Sequence, residues 1–66
     1  KILHVNMKAR EQFLKIYANI PLTLRKEIIL ILDEQPITWS VAYIEVFNNT
    51  QKSLKILQKL EELKII

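Results

Sequence analysis

The chain contains no glycine and no cysteine. Without cysteine there is no disulfide framework, no thiolate metal site and no cysteine nucleophile. Without glycine there is no glycine-rich phosphate loop, no Rossmann fingerprint and no G-x-S-x-G nucleophile elbow. Tight primed hairpins are disfavoured as well, because their turns want Gly or Asn at positive φ. Histidine is nearly absent. His4 is the single one, and one imidazole without thiols builds no tetrahedral zinc site. A Ser-His-Asp triad would need His4 with Ser40 or Ser53 and Asp33, and nothing in their spacing supports it. The adjacent acids Asp33-Glu34 and Glu61-Glu62 diverge by about 100° on a helix and form no carboxylate dyad. Catalysis is therefore not expected, and neither a cofactor nor a metal is.

Long hydrophobic runs are also missing. The longest, Ile28 to Leu32, is five residues, against about 18 for a membrane-spanning helix. Lys1–Asn6 is too short for a signal-peptide core and lacks a small-residue cleavage site. The expectation is a cytoplasmic protein that meets neither a membrane nor a small-molecule substrate.

What is present is an apolar, basic chain of 66 residues with a net charge of +3 and a pI near 9.4. That length allows one domain, residues 1–66. A chain so short buries about 60% of its unfolded surface, so it packs densely or leans on a partner. Half of the residues are apolar, too many for a disordered tail. Eleven Ile and eight Lys with one Met hint at a hot habitat.

The periodicity predicts four helices and an all-α fold. Met7 can be a chain start, with Lys1–Asn6 as a lead-in or, through Ile2, Leu3 and Val5, a short extended segment. A first helix over Met7–Ala18 follows from Phe13, Ile16 and Tyr17 at i, i+3, i+4, with Asn6 as cap and Pro21 as stop. A second, from Pro21 or Thr23 to Asp33 or Glu34, rests on Leu24, Ile28, Ile31 and Leu32, with Ile29 and Leu30 widening its apolar face. A third spans Trp39–Phe47 behind the cap Thr38. Its continuous apolar run Val41-Ala42-Tyr43-Ile44 fails the period of two that a strand requires. Asn48-Asn49-Thr50 reads as a turn, since Asn tolerates the left-handed region where Gly is missing. Thr50 then caps a fourth helix, Gln51–Leu63, in which Leu54, Leu57, Leu60 and Leu63 alternate with Lys, Gln and Glu.

The order of these segments resembles a helix-turn-helix or winged-helix DNA-binding domain. Leu24-Arg25-Lys26-Glu27-Ile28-Ile29-Leu30-Ile31-Leu32 looks like the family's first helix, and Ile37-Thr38-Trp39 like the capped start of its second. Asn48-Asn49-Thr50 stands at the family's turn. Leu57-Gln58-Lys59-Leu60-Glu61-Glu62 is similar to the end of a recognition helix. The likeness covers Leu24–Ile66, about two-thirds of the chain. The family's Gly after that helix is Lys64 here, and the sequence reaches Ile66 before a wing, so the likeness implies a wingless or truncated version. It also implies double-stranded DNA as partner. Gln51 and Lys52 would reach base edges, while Thr50, Lys55, Lys59, Arg25 and Lys26 would meet phosphates. As ordinary surface chemistry, the same Lys and Gln are the wet face of an amphipathic helix.

A second expectation is an accessory module that docks on a larger protein or a second copy. The predicted second and third helices carry much apolar surface. Trp39, Tyr43, Phe47 and Ile29 are the candidate anchors if they are not simply core.

Overall fold

The computed structural model describes residues 6–66, and side chains from residue 8 onward. The segment Lys1–Val5, with His4, lies outside the described residues, as does the side chain of Asn6 and hence its capping role. The order of elements is α1 (Asn6–Asn19), a 3-10 helix (Leu22–Lys26), β1 (Ile28–Leu32), β2 (Gln35–Thr38), α2 (Trp39–Phe47) and α3 (Gln51–Glu62).

The architecture is mixed α/β, which corrects the all-α, four-helix expectation. Three of the expected helices form. The second does not: its residues make one 3-10 turn and then a two-stranded antiparallel hairpin with β2. The physical reason lies in the same residues. As a helix, Ile28-Ile29-Leu30-Ile31-Leu32 would expose apolar groups all round. As a strand it divides them: Leu30 is buried and Leu32 half-buried, while Ile31 faces out. Ile28, Ile29, Ile31, Ile37 and Thr38 are β-branched and suit a pleated surface. Ile29 is the extra residue of a bulge, since Ile28 pairs with Thr38 and Leu30 with Ile37. A one-residue offset moves a side chain to the other face, and Ile28 accordingly ends exposed although it lies two residues from buried Leu30.

The hairpin loop is the two residues Asp33-Glu34, both at positive φ, 52° and 69°. Two such residues between antiparallel strands define a type I′ turn. The lack of glycine did not prevent it. Asp enters this region through local hydrogen bonds of its short side chain. Glu34 has no such device and stays there because the hairpin holds it.

The remaining helix ends are also made without glycine. α2 stops at Asn48, and Asn49 takes φ 54°. Thr50 N–H donates to Glu45 C=O at 3.2 Å and Asn49 N–H to Val46 C=O at 3.1 Å. This is the Schellman pattern. It recurs at the end of α3, where Lys64 takes φ 61°, Ile65 N–H donates to Leu60 C=O at 2.9 Å and Lys64 N–H to Glu61 C=O at 3.0 Å. At the end of α1, Asn19 Nδ2 donates to Lys15 C=O at 2.8 Å.

The core joins all layers: Ala9 and Phe13 from α1, Leu30 and Ile37 from the hairpin, Ala42 and Val46 from α2, and Ile56, Leu57 and Leu60 from α3. Phe13, Ile37, Ile56, Leu60 and Val46 are its largest fully buried side chains. Beside it runs a continuous aromatic stack. Trp39 lies on Phe13 (5.8 Å between centroids), Phe13 near Tyr17 (6.1 Å), Tyr17 on Tyr43 (4.4 Å) and Tyr43 on Phe47 (5.6 Å). All five aromatic residues of the chain are in it. The spacing explains why: Phe13/Tyr17 and Trp39/Tyr43/Phe47 are i, i+4 series on two facing helices.

Candidate functional site

The helix pair α2–α3 is positioned by side-chain caps at both starts. Thr38 Oγ1 accepts from Val41 N–H at 3.1 Å, and Thr50 Oγ1 accepts from Ser53 N–H at 3.1 Å. Each cap satisfies one orphan donor of the first turn. The start of α2 is further tied to the 3-10 turn. Trp39 N–H donates to Glu27 C=O at 3.1 Å, and Ser40 Oγ donates to Arg25 C=O at 3.0 Å. At its other end, Arg10 Nε donates to Val46 C=O at 3.3 Å. A guanidinium there also suits the negative end of the helix dipole.

α3 buries Ser53, Ile56, Leu57 and Leu60. One flank of the helix carries Lys52, Lys55 and Lys59, three and four residues apart, which places them on one ridge; Lys55 is exposed and Lys52 and Lys59 are half-buried. Gln51 is exposed at the head of the helix, and Leu54 interrupts the wet surface on the far flank of the ridge. Lys55 Nζ lies 3.9 Å from Asp33 Oδ2, and Lys59 Nζ lies 4.0 Å from Glu62 Oε1. Both are exposed pairs at the limit of ion contact, worth about 0–1 kcal/mol.

Two of the expected phosphate contacts are engaged inside the molecule. Thr50 sits between two helices, and its hydroxyl donates to Glu45 Oε1 at 2.5 Å while accepting from Ser53 N–H. The single hydroxyl proton is thereby used, and a carboxylate stands beside the first turn of α3, where a phosphate would have to come. Arg25 is half-buried. Its Nη2 donates to Tyr17 C=O at 3.1 Å and its guanidinium covers the Tyr17 ring at 4.3 Å from the centroid. Arg25 Nε is buried with no hydrogen-bond partner among the described residues. Arg25 thus locks the 3-10 turn onto α1. Lys26 is exposed on that turn, on a different element from the α3 ridge.

The expected docking anchors divide as well. Trp39 and Tyr43 are half-buried within the aromatic stack, and Ile29 is half-buried against the core. Phe47, at the end of the stack, is 57% exposed. It lines an open groove of about 460 Å³ with Leu14, Tyr17, Ala18, Arg25 and Tyr43. The outward ridge of α2 is Val41, Ile44 and Phe47, three residues apart and all exposed, and of these sequence reasoning named only Phe47. Their i, i+3, i+6 spacing was visible, but the docking expectation followed the aromatic i, i+4 series Trp39, Tyr43 and Phe47 instead. Glu45 was missed too. Its signal was its place five residues before a capping Thr.

Among the described residues, no three His, Asp or Glu side chains converge on a point that could hold a metal ion. Nor is any helix there long and apolar enough to cross a membrane. No family model, no curated protein and no solved structure matches this chain.

Proposed function

We propose that the protein is a non-catalytic binding module in which α3 lies against double-stranded DNA and α2 supports it from behind. The observation that carries this reading is the ridge Lys52, Lys55 and Lys59, aligned along one flank of α3 beside its buried face, with Lys55 exposed and Lys52 and Lys59 half-buried. Lys52 and Lys59 lie seven residues apart, a rise of about 10 Å. Their stems can lie along the apolar flank of α3 while the ammonium groups stay in water. The exposed pairs with Asp33 and Glu62 are weak enough for a phosphate to displace them. Gln51, in the first turn, is the side chain placed to meet a base edge. Thr50 and Arg25 have structural duties in this scheme. Glu45 limits how closely the head of α3 approaches the phosphate chain.

Three phosphate contacts predict a modest, salt-dependent affinity. The logarithm of the binding constant should fall with the logarithm of salt concentration with a slope of about −3. Fluorescence anisotropy with a labelled duplex over a salt series measures it. Replacing Lys52, Lys55 and Lys59 together by Gln should abolish the slope and the binding. Undetectable duplex binding by the wild-type chain at low salt would sink the proposal.

One observation favours a second reading, docking on another protein. Val41, Ile44 and Phe47 form an apolar ridge on the side of α2 turned away from the core, the kind of surface that marks an interaction site. Phe47→Lys separates the two readings. It should cost a protein complex its stability and leave duplex affinity unchanged.

A further inference from the structure

Among the described residues, the hairpin has two unpaired edges that differ in kind. The loop Asp33-Glu34 makes Leu32 and Gln35 a hydrogen-bonded pair, since a two-residue turn closes on the residues that flank it. Pairs alternate along an antiparallel ladder, so Ile31 and Pro36, which are opposite each other, form a non-hydrogen-bonded pair. Both therefore turn their backbone groups toward the free edges. On β2 that edge carries Pro36, which has no N–H to donate and a ring that blocks an approaching strand. On β1 the same position is Ile31, with N–H and C=O both directed outward. No proline and no charge protects the run Ile28–Leu32. Among the described residues, no backbone bond from another element reaches this edge. Ile31 is also 58% exposed on the outer face of the hairpin.

We propose that β1 pairs antiparallel with β1 of a second copy, so that two hairpins become one four-stranded sheet. Three features select a second copy. An antiparallel edge is self-complementary about a two-fold axis. With Ile31 opposite Ile31 of the second copy, each donates its N–H to the other's C=O, and the two exposed side chains meet on the outer face. The charge pattern agrees. β1 is preceded by two cations and one carboxylate, Arg25, Lys26 and Glu27, and followed by two carboxylates, Asp33 and Glu34. Antiparallel pairing turns the basic end of one copy toward the acidic end of the other. Finally, the assembly closes. Pro36 blocks the outer edge of each hairpin, so association stops at two and does not run on into a fibril. A two-stranded sheet is also marginal by itself, and pairing gives it the strands it lacks.

Sedimentation velocity of the full chain tests this. An interface of one short strand belongs to the weak class, so the measurement runs up to about 0.5 mM protein, where a dissociation constant below 1 mM still populates a complex. The expected result is a monomer–dimer equilibrium with no larger species. Ile31→Pro removes the outward donor without removing a hairpin bond, and should weaken the dimer at least tenfold with an unchanged circular dichroism spectrum. Should proline disturb the strand, Ile31→Lys, at the same exposed position, should give the same loss. Pro36→Val should unblock the second edge and produce species beyond the dimer. A wild-type chain that is monomeric throughout overturns the proposal, including the case in which residues 1–5 occupy the edge. So does a dimer that persists undiminished in Ile31→Lys.

Discussion

Residues 22–32 and residues 39–62 carry the same helical spacing of apolar residues and fold differently. In α2 and α3, hydrophobic spacing, caps and stop signals agree. Thr38 and Thr50 both cap, Asn49 turns left-handed, and the helices run where the spacing predicts them. In Leu22–Leu32 the spacing also fits a helix, yet the chain forms a 3-10 turn and a strand. That segment has no side-chain cap at its start, where Pro21 offers no side-chain acceptor to the first-turn N–H groups, and three of the five residues of its strand, Ile28, Ile29 and Ile31, are β-branched. A local pattern is decisive where several independent local signals coincide. Where only the spacing speaks, the tertiary demand to divide inner from outer side chains decides.

The comparison can be broken most forcefully at Ile37. It is buried in the hairpin and belongs to the same core as α2 and α3. Ile37→Ala should cost about 2–5 kcal/mol. In a chain this small that loss should lower the urea midpoint of the whole molecule, followed together by Trp39 fluorescence and helical circular dichroism. If the helical signal keeps its midpoint while Trp39 shifts, the two stretches are separate units. A smaller effect is expected at the junction of α2 and α3. Thr50→Ala removes the cap and leaves Glu45 without its hydroxyl partner, at about 1–2 kcal/mol. Thermal unfolding checks it. The smallest effect sharpens the comparison from the hairpin side. Glu34→Gly relieves a left-handed position but loosens the unfolded chain, so a net gain of about 0.5–1 kcal/mol is expected. A loss there would mean that the Glu34 side chain holds the turn by a contact of its own.

Much of the helical framework was legible because its signals are local. The left-handed Asn in the turn and the position of Lys64, where a glycine would be usual, both coincide with positive φ. The hairpin was not legible. Its turn uses Asp33-Glu34, a pair with no glycine to announce it, and its bulge at Ile29 breaks the alternation that marks a strand. Of the candidate contacts, the alignment of Lys52, Lys55 and Lys59 follows from helical spacing alone. The engagement of Thr50 by Glu45 and of Arg25 by Tyr17 does not, because Glu45 and Thr50 meet across a helix end and Tyr17 and Arg25 across a turn. Trp39 and Tyr43 looked like anchors for a partner because the facing pair Phe13 and Tyr17 lies far away in sequence.

That aromatic stack makes the molecule its own optical probe. Every ultraviolet chromophore among its side chains belongs to one array that spans α1 and α2. Tyr17 and Tyr43, 4.4 Å apart, are close enough for excitonic coupling. Energy absorbed by either tyrosine can pass along the array to Trp39, the lone indole. Near-ultraviolet dichroism and tyrosine-to-tryptophan transfer thus report the docking of α1 on α2 without any label. Phe47, at the solvent end, makes the same signal sensitive to whatever settles on the outer ridge of α2.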